Sequence, residues 1–345
     1  MRWTGRKLLF AALIGLLYIG GCSSKNSTTE QQESSQEQPK EIATSYPAPF
    51  TGEQLTEKRE NRPIVATINN HPLARPQSGI ADADLIYEFM AEGEVTRYLA
   101  LFHSEIPDQI GPIRSARDYF VRLAEGMDAF YIAHGYSPEA KKLLDSGTVD
   151  HVNGMQYDGT LFERSPDRKA PHNSYISKEH ITQAFETTGA SEKISKMPVF
   201  SFLNPEDSDK IGDMASSVIV SYGKNPNFSS TYHFDEETNR YYRSVNGIDT
   251  VDKLNERRVE LANVIVMEMD HQTVDQEGRQ AIDLHSGGKA VLFHEGIAKT
   301  IEWENIDGFL TPLEQGLPVK LTAGKSWIHI VPSISGPSTS VTYTP

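Results

Sequence analysis

The sequence predicts a mixed α/β fold: an N-terminal α/β part with a hairpin and helices, then a mainly antiparallel β part. Three patterns carry that expectation. Two β-prone runs, 85–91 and 95–103, flank Glu92-Gly93-Glu94 as hairpin arms flank a turn. The apolar run 129–133 leads through His134-Gly135-Tyr136 into Ser137-Pro138-Glu139, a helix N-cap followed by Pro at the first helical position. Beyond about residue 210, short alternating runs succeed one another with one helix candidate among them.

The chain has 345 residues and a formal charge of −14. That length suggests two folded domains. The acidic balance argues against nucleic-acid binding, which depends on neutralising phosphates with basic groups. It equally argues against a polybasic membrane-surface protein.

Arg2, Arg6 and Lys7 precede an apolar run over 8–19 and then Ile19-Gly20-Gly21-Cys22. The run is shorter than the roughly 20 residues a spanning helix needs. It has the layout of a secretory leader, 1–21. Ile19-Gly20-Gly21-Cys22 resembles the lipobox of bacterial lipoproteins, which implies cleavage before Cys22 and a lipid on its thiol. Cys22 is the single cysteine, so no internal disulfide can form. Of residues 23–46, 20 of 24 are Ser, Thr, Gln, Glu, Lys or Asn. Such a stretch buries too little apolar surface to fold. Residues 22–60 are therefore expected to be a lipidated cysteine and a flexible tether, followed by domains at 61–208 and 209–345.

Within the first domain, 64–68 reads as a β-branched strand that Asn69-Asn70-His71-Pro72 breaks. The hairpin follows, with helix as the rival for its first arm because Leu85 and Phe89 repeat at i, i+4. Ser115 is expected to cap a helix running to Gly126, with Asp118 completing a capping box. After the helix at 138–145, residues 150–176 read as irregular. Ser177 caps a helix over 178–187, and 198–203 is a strand.

In the second domain, strands are expected at 218–222, 231–234, 240–245, 263–269, 281–285, 290–294, 300–303, 319–322 and 327–331. The one helix is placed at 250–261, and the whole reads as a barrel or sandwich.

Known catalytic motifs are weak here. Gly324-Lys325-Ser326 lacks the upstream glycine of a phosphate-binding loop, since Val319 stands there. Ser221-x-x-Lys224 and Ser286-x-x-Lys289 occur at about the frequency chance allows, and no Lys-Thr-Gly accompanies them. His271, His285 and His294 have no metal-ligand spacing, so neither a metal nor a cofactor is expected.

A charged cluster is more informative: Arg75, Asp84, Glu88, Glu92, Arg97, Arg114, Arg117 and His172, of which Arg75, Glu92, Arg114 and His172 lie directly beside Gly, Pro, Ser or Asn. Arg114 and Arg117 sit where a helix begins, and there the macrodipole disfavours a cation by about 0.3–1 kcal/mol. They require a negative partner. Glu88 or Glu92 of the hairpin could supply it internally. Alternatively, the carboxylate or phosphate of a ligand could, bound bidentately as arginine favours. Glu88 can face Arg97 in only one of two registers. His134 and His172 are candidate acid–base groups beside the cluster.

Several segments are recognisable together. They include Ala74-Arg75-Pro76-Gln77-Ser78-Gly79, Thr96-Arg97, Gly111-Pro112-Ile113-Arg114-Ser115-Ala116-Arg117 and Pro171-His172-Asn173. Asn263-Val264-Ile265-Val266 and Gly324-Lys325-Ser326-Trp327 extend the set into the second half. They resemble the YerB-like lipoproteins, a bacterial family classed as a domain of unknown function. The resemblance covers nearly all of 62–332. It implies a lipid-anchored N-terminus and a two-part αβ fold, and no established activity. The sequence departs at Ser286-Gly287-Gly288-Lys289, where the family more often has Gly-Ser-Gly.

Three functional readings follow. The first is a protein held on the extracytoplasmic face of the cell membrane by lipid on Cys22, binding an anionic envelope ligand or a protein partner. Arg75, Arg97, Arg114, Ser115 and Arg117 would bind, with Glu88 and Glu92 orienting them and His172 alongside. The second is an envelope-polymer hydrolase or transferase with His172 or His134 as acid–base and the glutamates as partners. The third is an interaction scaffold that offers an exposed hairpin around Ala323-Gly324 for strand addition.

Overall fold

The computed structural model describes residues 45–198, 200–204, 206–333 and 339–345. The expected leader, 1–21, and Cys22 lie outside them. Strands dominate, at 45% against 14% helix, so the protein is mostly β rather than a balanced α/β fold. The predicted helices within 61–208 form but are short. Meanwhile the 150–176 segment, expected to be irregular, contributes strands of its own.

The N-terminal segment supplies β1 (Ile64–Asn69), β2 (Leu85–Glu92), β3 (Val95–Phe102), α1 (Asp118–Gly126), β4 (Phe130–Ala133), α2 (Pro138–Asp145) and β5 (His151–Asn153). It continues with β6 (Phe162–Arg164), β7 (Ser174–Ser177) and α3 (Lys178–Thr188). The C-terminal segment supplies β8 (Ser217–Ser221), β9 (Ser229–Asp235), β10 (Arg240–Val245), β11 (Asn263–Thr273), β12 (Gly288–His294), β13 (Ile297–Ile306), β14 (Phe309–Glu314), β15 (Ser326–Pro332) and β16 (Val341–Thr344).

One large sheet draws on both segments. Its central order is β14-β13-β12-β11-β15-β2-β3-β1-β4-β5. The junction is β15 beside β2, parallel, with Trp327 opposite Ile86 and His329 opposite Glu88. From Ser45 onward the chain forms one compact unit. Both faces of the sheet are buried, because alternate residues of each strand point to opposite sides. Val65, Tyr87, Phe89, Leu99 and Leu101 pack with Tyr119, Phe120 and Leu123 of α1 and Leu144 of α2. Ile64, Ala66, Ile86, Tyr98 and Ala100 pack with Ile181 and Phe185 of α3 and with Val218, Tyr232 and Tyr241. Those last three belong to a second, antiparallel sheet ordered β10-β9-β8-β16.

The hairpin, the Ser137 cap on α2 and the Ser177 cap on α3 are as the sequence predicts. Four expectations need correction. Ser115 does not cap α1: its hydroxyl donates to the His134 carbonyl, and Ala116 bonds along the backbone to Gly135 and Ser137. That extended pairing holds the chain out of helix until Arg117, which becomes the N-cap without a side-chain bond.

The helix expected at 250–261 is absent. The Asp252 carboxylate accepts from Leu254 N and Ala81 N, fixing a turn, and Glu260–Leu261 pairs with Tyr241 and Tyr242. Asp commonly offers the backbone such local alternatives to a helix.

Order also begins earlier than residue 61. Tyr46–Pro47 pairs with Gln54–Leu55, and Phe50 is fully buried against His103 and Phe309. A single aromatic anchor thus converts the end of the expected tether into part of the body. Finally, the segment around Ala323-Gly324 is not an exposed hairpin. Gly324 N donates to Thr51 O, Arg240 donates to Ala323 O, and Lys320–Leu321 lies parallel to Ser201–Phe202.

Candidate functional site

The register of β2 and β3 decides the fate of the charged cluster. Glu88 lies opposite Tyr98, and Arg97 lies opposite Phe89. Glu88 and Arg97 therefore face opposite sides of the sheet and cannot pair, as a one-residue offset requires.

Arg97 faces α1, where the carboxylate of Glu92 meets it. Arg97 Nη2 donates to both Glu92 oxygens at 2.9 and 2.8 Å, and Nη1 donates to Ser115 O at 3.0 Å. Arg117 Nη2 closes on the same carboxylate. One glutamate thus compensates two buried guanidinium groups at the start of α1. This is the internal ion-pair reading of Arg97 and Arg117.

Glu88 faces the second sheet and is fully buried. Its Oε1 accepts from Thr96 Oγ1 at 2.7 Å and Asn70 Nδ2 at 3.2 Å. Its Oε2 accepts from Trp327 Nε1 at 3.1 Å and Arg243 Nη2 at 3.5 Å. Arg243 also stacks 4.3 Å over the Trp327 ring. Burial works against the Arg243 charge, but Tyr98, Glu88 and Tyr232 outweigh it and hold its pKa above the ordinary value.

His329, beside this pair, is pushed well below its ordinary pKa by burial and by Arg243, so it is neutral. Tyr222 donates its hydroxyl proton to Glu88 O at 2.7 Å, so it accepts from His329 Nδ1 at 2.9 Å. His329 Nε2 then accepts from Tyr232 at 2.6 Å. With its oxygens taken up in this network, Glu88 is not placed to serve His172.

Arg75 is also held by neutral acceptors. It donates to Asn70 Oδ1 at 3.0 Å, to Asn70 O at 2.8 Å and to Asn227 O at 2.6 Å. Burial lowers its pKa.

Arg114 differs from the other three. Its backbone is fixed by Thr67 O and His134 N. Its guanidinium, half-buried, has no hydrogen bond or ion pair among the described residues. Burial, with the nearby charge of Arg97, pushes its pKa down to about 10. Arg114 contributes to lowering the pKa of three histidines, His71, His134 and His172, after burial in each case. His71 and His172 stack at 4.6 Å, and Asn69 holds both: its Nδ2 meets His172 Nδ1 at 2.9 Å while its Oδ1 accepts from His71 N. His134 is fixed by Ser174 Oγ at 2.7 Å and Arg164 Nη2 at 2.9 Å. Gly154 permits that ring position, since a Cβ there would fall 2.0 Å from His134 Nδ1.

The structure therefore separates the predicted site residues. Arg97, Arg117, Glu92 and the Ser115 backbone form one closed cluster. Glu88 belongs to a second. Arg114 stands electrostatically beside His172, with His71 and His134. Sequence reading missed His71 and Arg243. His71 had a signal, lying in the strand-breaking Asn69-Asn70-His71-Pro72; Arg243 stood among the residues that resemble the YerB-like family, but its partner Glu88, 155 positions away, gave no local sign of the pair. Of the three β-half histidines, His294 is buried against Thr322 Oγ1 and His271 bonds the Met269 carbonyl. Among the described residues no group of three or more His, Cys, Asp or Glu side chains is placed to hold a metal ion.

Fold and cluster together define a mostly β protein whose N- and C-terminal segments share one sheet around an internal ion pair, with one uncompensated arginine beside histidines. Residues 50–191 match the family model described as "Protein of unknown function (DUF3048) N-terminal domain", and residues 218–328 match its C-terminal domain. The chain is 40% identical over 303 residues to "Putative lipoprotein YerB" of Bacillus subtilis (strain 168), covering 87% of this chain and 90% of that one. The crystal structure of the Bacillus subtilis YerB protein aligns with a TM-score of 0.79 at 39% identity, over 87% of this chain and 100% of that chain. The chain belongs to this YerB-like DUF3048 family.

Proposed function

We propose that this protein is a lipoprotein anchored through Cys22 on the extracytoplasmic face of the cell membrane, and that it binds an anionic envelope ligand at Arg114. The name of the Bacillus subtilis relative, "Putative lipoprotein YerB", supports the anchor, as does the cationic, apolar, lipobox-like order of residues 2–22. Among the described residues no helix is long and apolar enough to cross a membrane. About two acyl chains give stable attachment without one.

The observation that carries the binding reading is the free Arg114 guanidinium. An uncompensated, half-buried cation is costly unless an anion joins it. Arginine offers a carboxylate or phosphate two parallel donors. The His71 and His172 rings, neutral at pH 7, can add N–H donors and gain charge when an anion arrives.

The test is calorimetric titration of the full chain with inorganic phosphate and with muropeptides bearing free carboxylates. Saturable binding that Arg114→Ala abolishes supports the reading. Binding unaffected by that change, or none at all with either probe, overturns it. For the anchor, Cys22→Ala should move the protein from the membrane fraction to the soluble fraction.

A further inference from the structure

A cavity lies at one end of the large sheet, and none of the Arg114 cluster lines it. It has a volume of about 720 Å³. Four neighbouring strands build its floor by the way they begin or end. Lys325 precedes β15, Asp84 precedes β2, His103 follows β3, and Asn61 lies just before β1. Because β15 and β2 are parallel and β3 is antiparallel to β2, those residues converge at the same sheet edge.

Two of them are buried side chains with unmet hydrogen-bonding capacity. Asp84 is 1% exposed; its Oδ2 accepts from the His103 and Ser104 backbone N–H groups at 2.7 and 2.8 Å, while Oδ1 has no partner. His103 is 1% exposed, and neither ring nitrogen has a partner among the described residues. Such buried polar atoms are costly, and each asks for an explanation. Burial and the charge of Arg59 push the His103 pKa down to about 4, so at neutral pH it offers one acceptor nitrogen. Burial raises Asp84 to about 6, against its N–H donors and Lys325, so it is mostly ionised at pH 7. A carboxylate oxygen and an imidazole lone pair thus lie buried and unpartnered in residues that line the floor. Four cations line the wall, Arg59, Lys178, Arg240 and Lys325, alongside Glu53, Asp82, Glu105 and Glu260. Lys325 and Arg240 are hydrogen-bonded to backbone carbonyls of Ala81, Asn239 and Ala323, and neither forms an ion pair among the described residues.

We propose that this cavity binds a small zwitterion of amino-acid or dipeptide size, its ammonium group donating to Asp84 and His103 and its carboxylate facing Lys325 and Arg240. An ammonium can donate to the unpartnered Asp84 oxygen and to the unprotonated His103 nitrogen, and its charge offsets that of a buried carboxylate. A carboxylate at the wall meets cations bound so far only to neutral oxygens. Leu55 and Ile106 line the cavity among mostly polar residues, with no Phe, Tyr or Trp, which suits a small ligand with charged ends and a short apolar side chain.

The experiment is calorimetric titration of the full chain with alanyl-alanine, N-acetyl-alanyl-alanine and alanyl-alaninamide. The free dipeptide should bind, the acetylated form should bind at least tenfold more weakly, and the amide should be weakened less. Asp84→Asn should lose at least tenfold in dipeptide affinity. Should that variant fold poorly, Lys325→Met tests the wall instead: it should weaken the dipeptide and leave alanyl-alaninamide unchanged. Ligand charge pairing also couples to protonation, so dipeptide affinity should rise with pH through about 6 and release a proton on binding at pH 6. Arg114→Ala should leave dipeptide binding intact, which separates this site from the anion site. Equal binding of the acetylated peptide, or binding that ignores both Asp84→Asn and Lys325→Met, overturns the proposal, as does the absence of dipeptide binding.

Discussion

Arg243 Nη2 stands 3.5 Å from Glu88 Oε2 across 155 positions of sequence, and neither side chain reaches solvent. Glu88 belongs to the N-terminal segment and Arg243 to the C-terminal segment, so this ion pair joins the two. Trp327 and Thr96 complete the hydrogen bonds that a buried carboxylate requires. Removing one partner leaves the other charge buried and alone. Arg243→Met should therefore cost about 3–5 kcal/mol. The Glu88→Gln, Arg243→Met double variant should cost less than the sum of the singles, as contacting residues do. Urea denaturation of all three variants measures the coupling, and strict additivity would count against it.

Glu92 offers a different test, because one carboxylate holds two arginines. Glu92→Gln should destabilise the fold by about 1–3 kcal/mol, since Glu92 itself is partly solvated. The freed pair of guanidinium groups should then accept a solution anion. Added sulfate should raise the melting temperature of Glu92→Gln by several degrees more than that of the native chain, at matched ionic strength.

Arg114 should behave in the opposite way from Arg117. Arg114→Ala removes a half-buried cation with no internal partner and should leave stability unchanged or raise it. Arg117→Ala breaks the pair with Glu92 and should cost more. Anion affinity at Arg114 should also grow as pH falls below about 6.5, because protonated His71 and His172 add positive charge. Titration with phosphate at pH 5.5 and 7.5 reads this, after correction for the phosphate's own ionisation.

Stability should depend on pH through Asp84 and His103 in opposite senses. The Asp84 pKa is raised by burial to about 6, so its contribution is full below about 4 and is lost as pH rises through 6. The His103 pKa is lowered by burial to about 4, so its contribution is full above about 6.5 and is lost as pH falls through 4. Asp84→Asn removes only the first slope. Relative to the native chain, the variant should gain most above pH 6, by up to about 3 kcal/mol at about 1.4 kcal/mol per pKa unit. Melting curves at pH 4.5 and 7.5 compare the two limits.

Gly154→Ala should displace the His134 ring, because the added methyl would overlap Nδ1. Loss of the bond to Ser174 and local repacking should cost about 1–3 kcal/mol. The His134 imidazole resonance should shift in NMR spectra while that of His329, in the buried core, stays in place.

Much of the fold was legible where local chemistry decides conformation. The Glu92-Gly93-Glu94 turn, the Ser137-Pro138 start of α2 and the Ser177 cap of α3 each act within a few residues of themselves. Ser115 failed as a cap because its surroundings, 134–137, lie elsewhere in the chain and hold it extended. Phe50 was hidden inside a polar stretch for the same reason: one aromatic ring gives no periodicity, yet its contacts with His103 and Phe309 order the chain around it.

The candidate site divides along the same line. Composition and motif spacing by themselves set the acidic balance, the leader-like start ending at Cys22, and the grouping of arginines with hairpin glutamates. They could not say which arginine would be left without a partner. Strand register put Glu88 and Arg97 on opposite faces, and the parallel docking of β15 on β2 gave Glu88 its pairing with Arg243. Once those contacts had taken up Arg97, Arg117 and Arg243, and neutral oxygens had taken up Arg75, the Arg114 guanidinium was left without a partner among the described residues. Alternation fixes which residues share a face, but a sheet assembled from distant segments decides what each face meets.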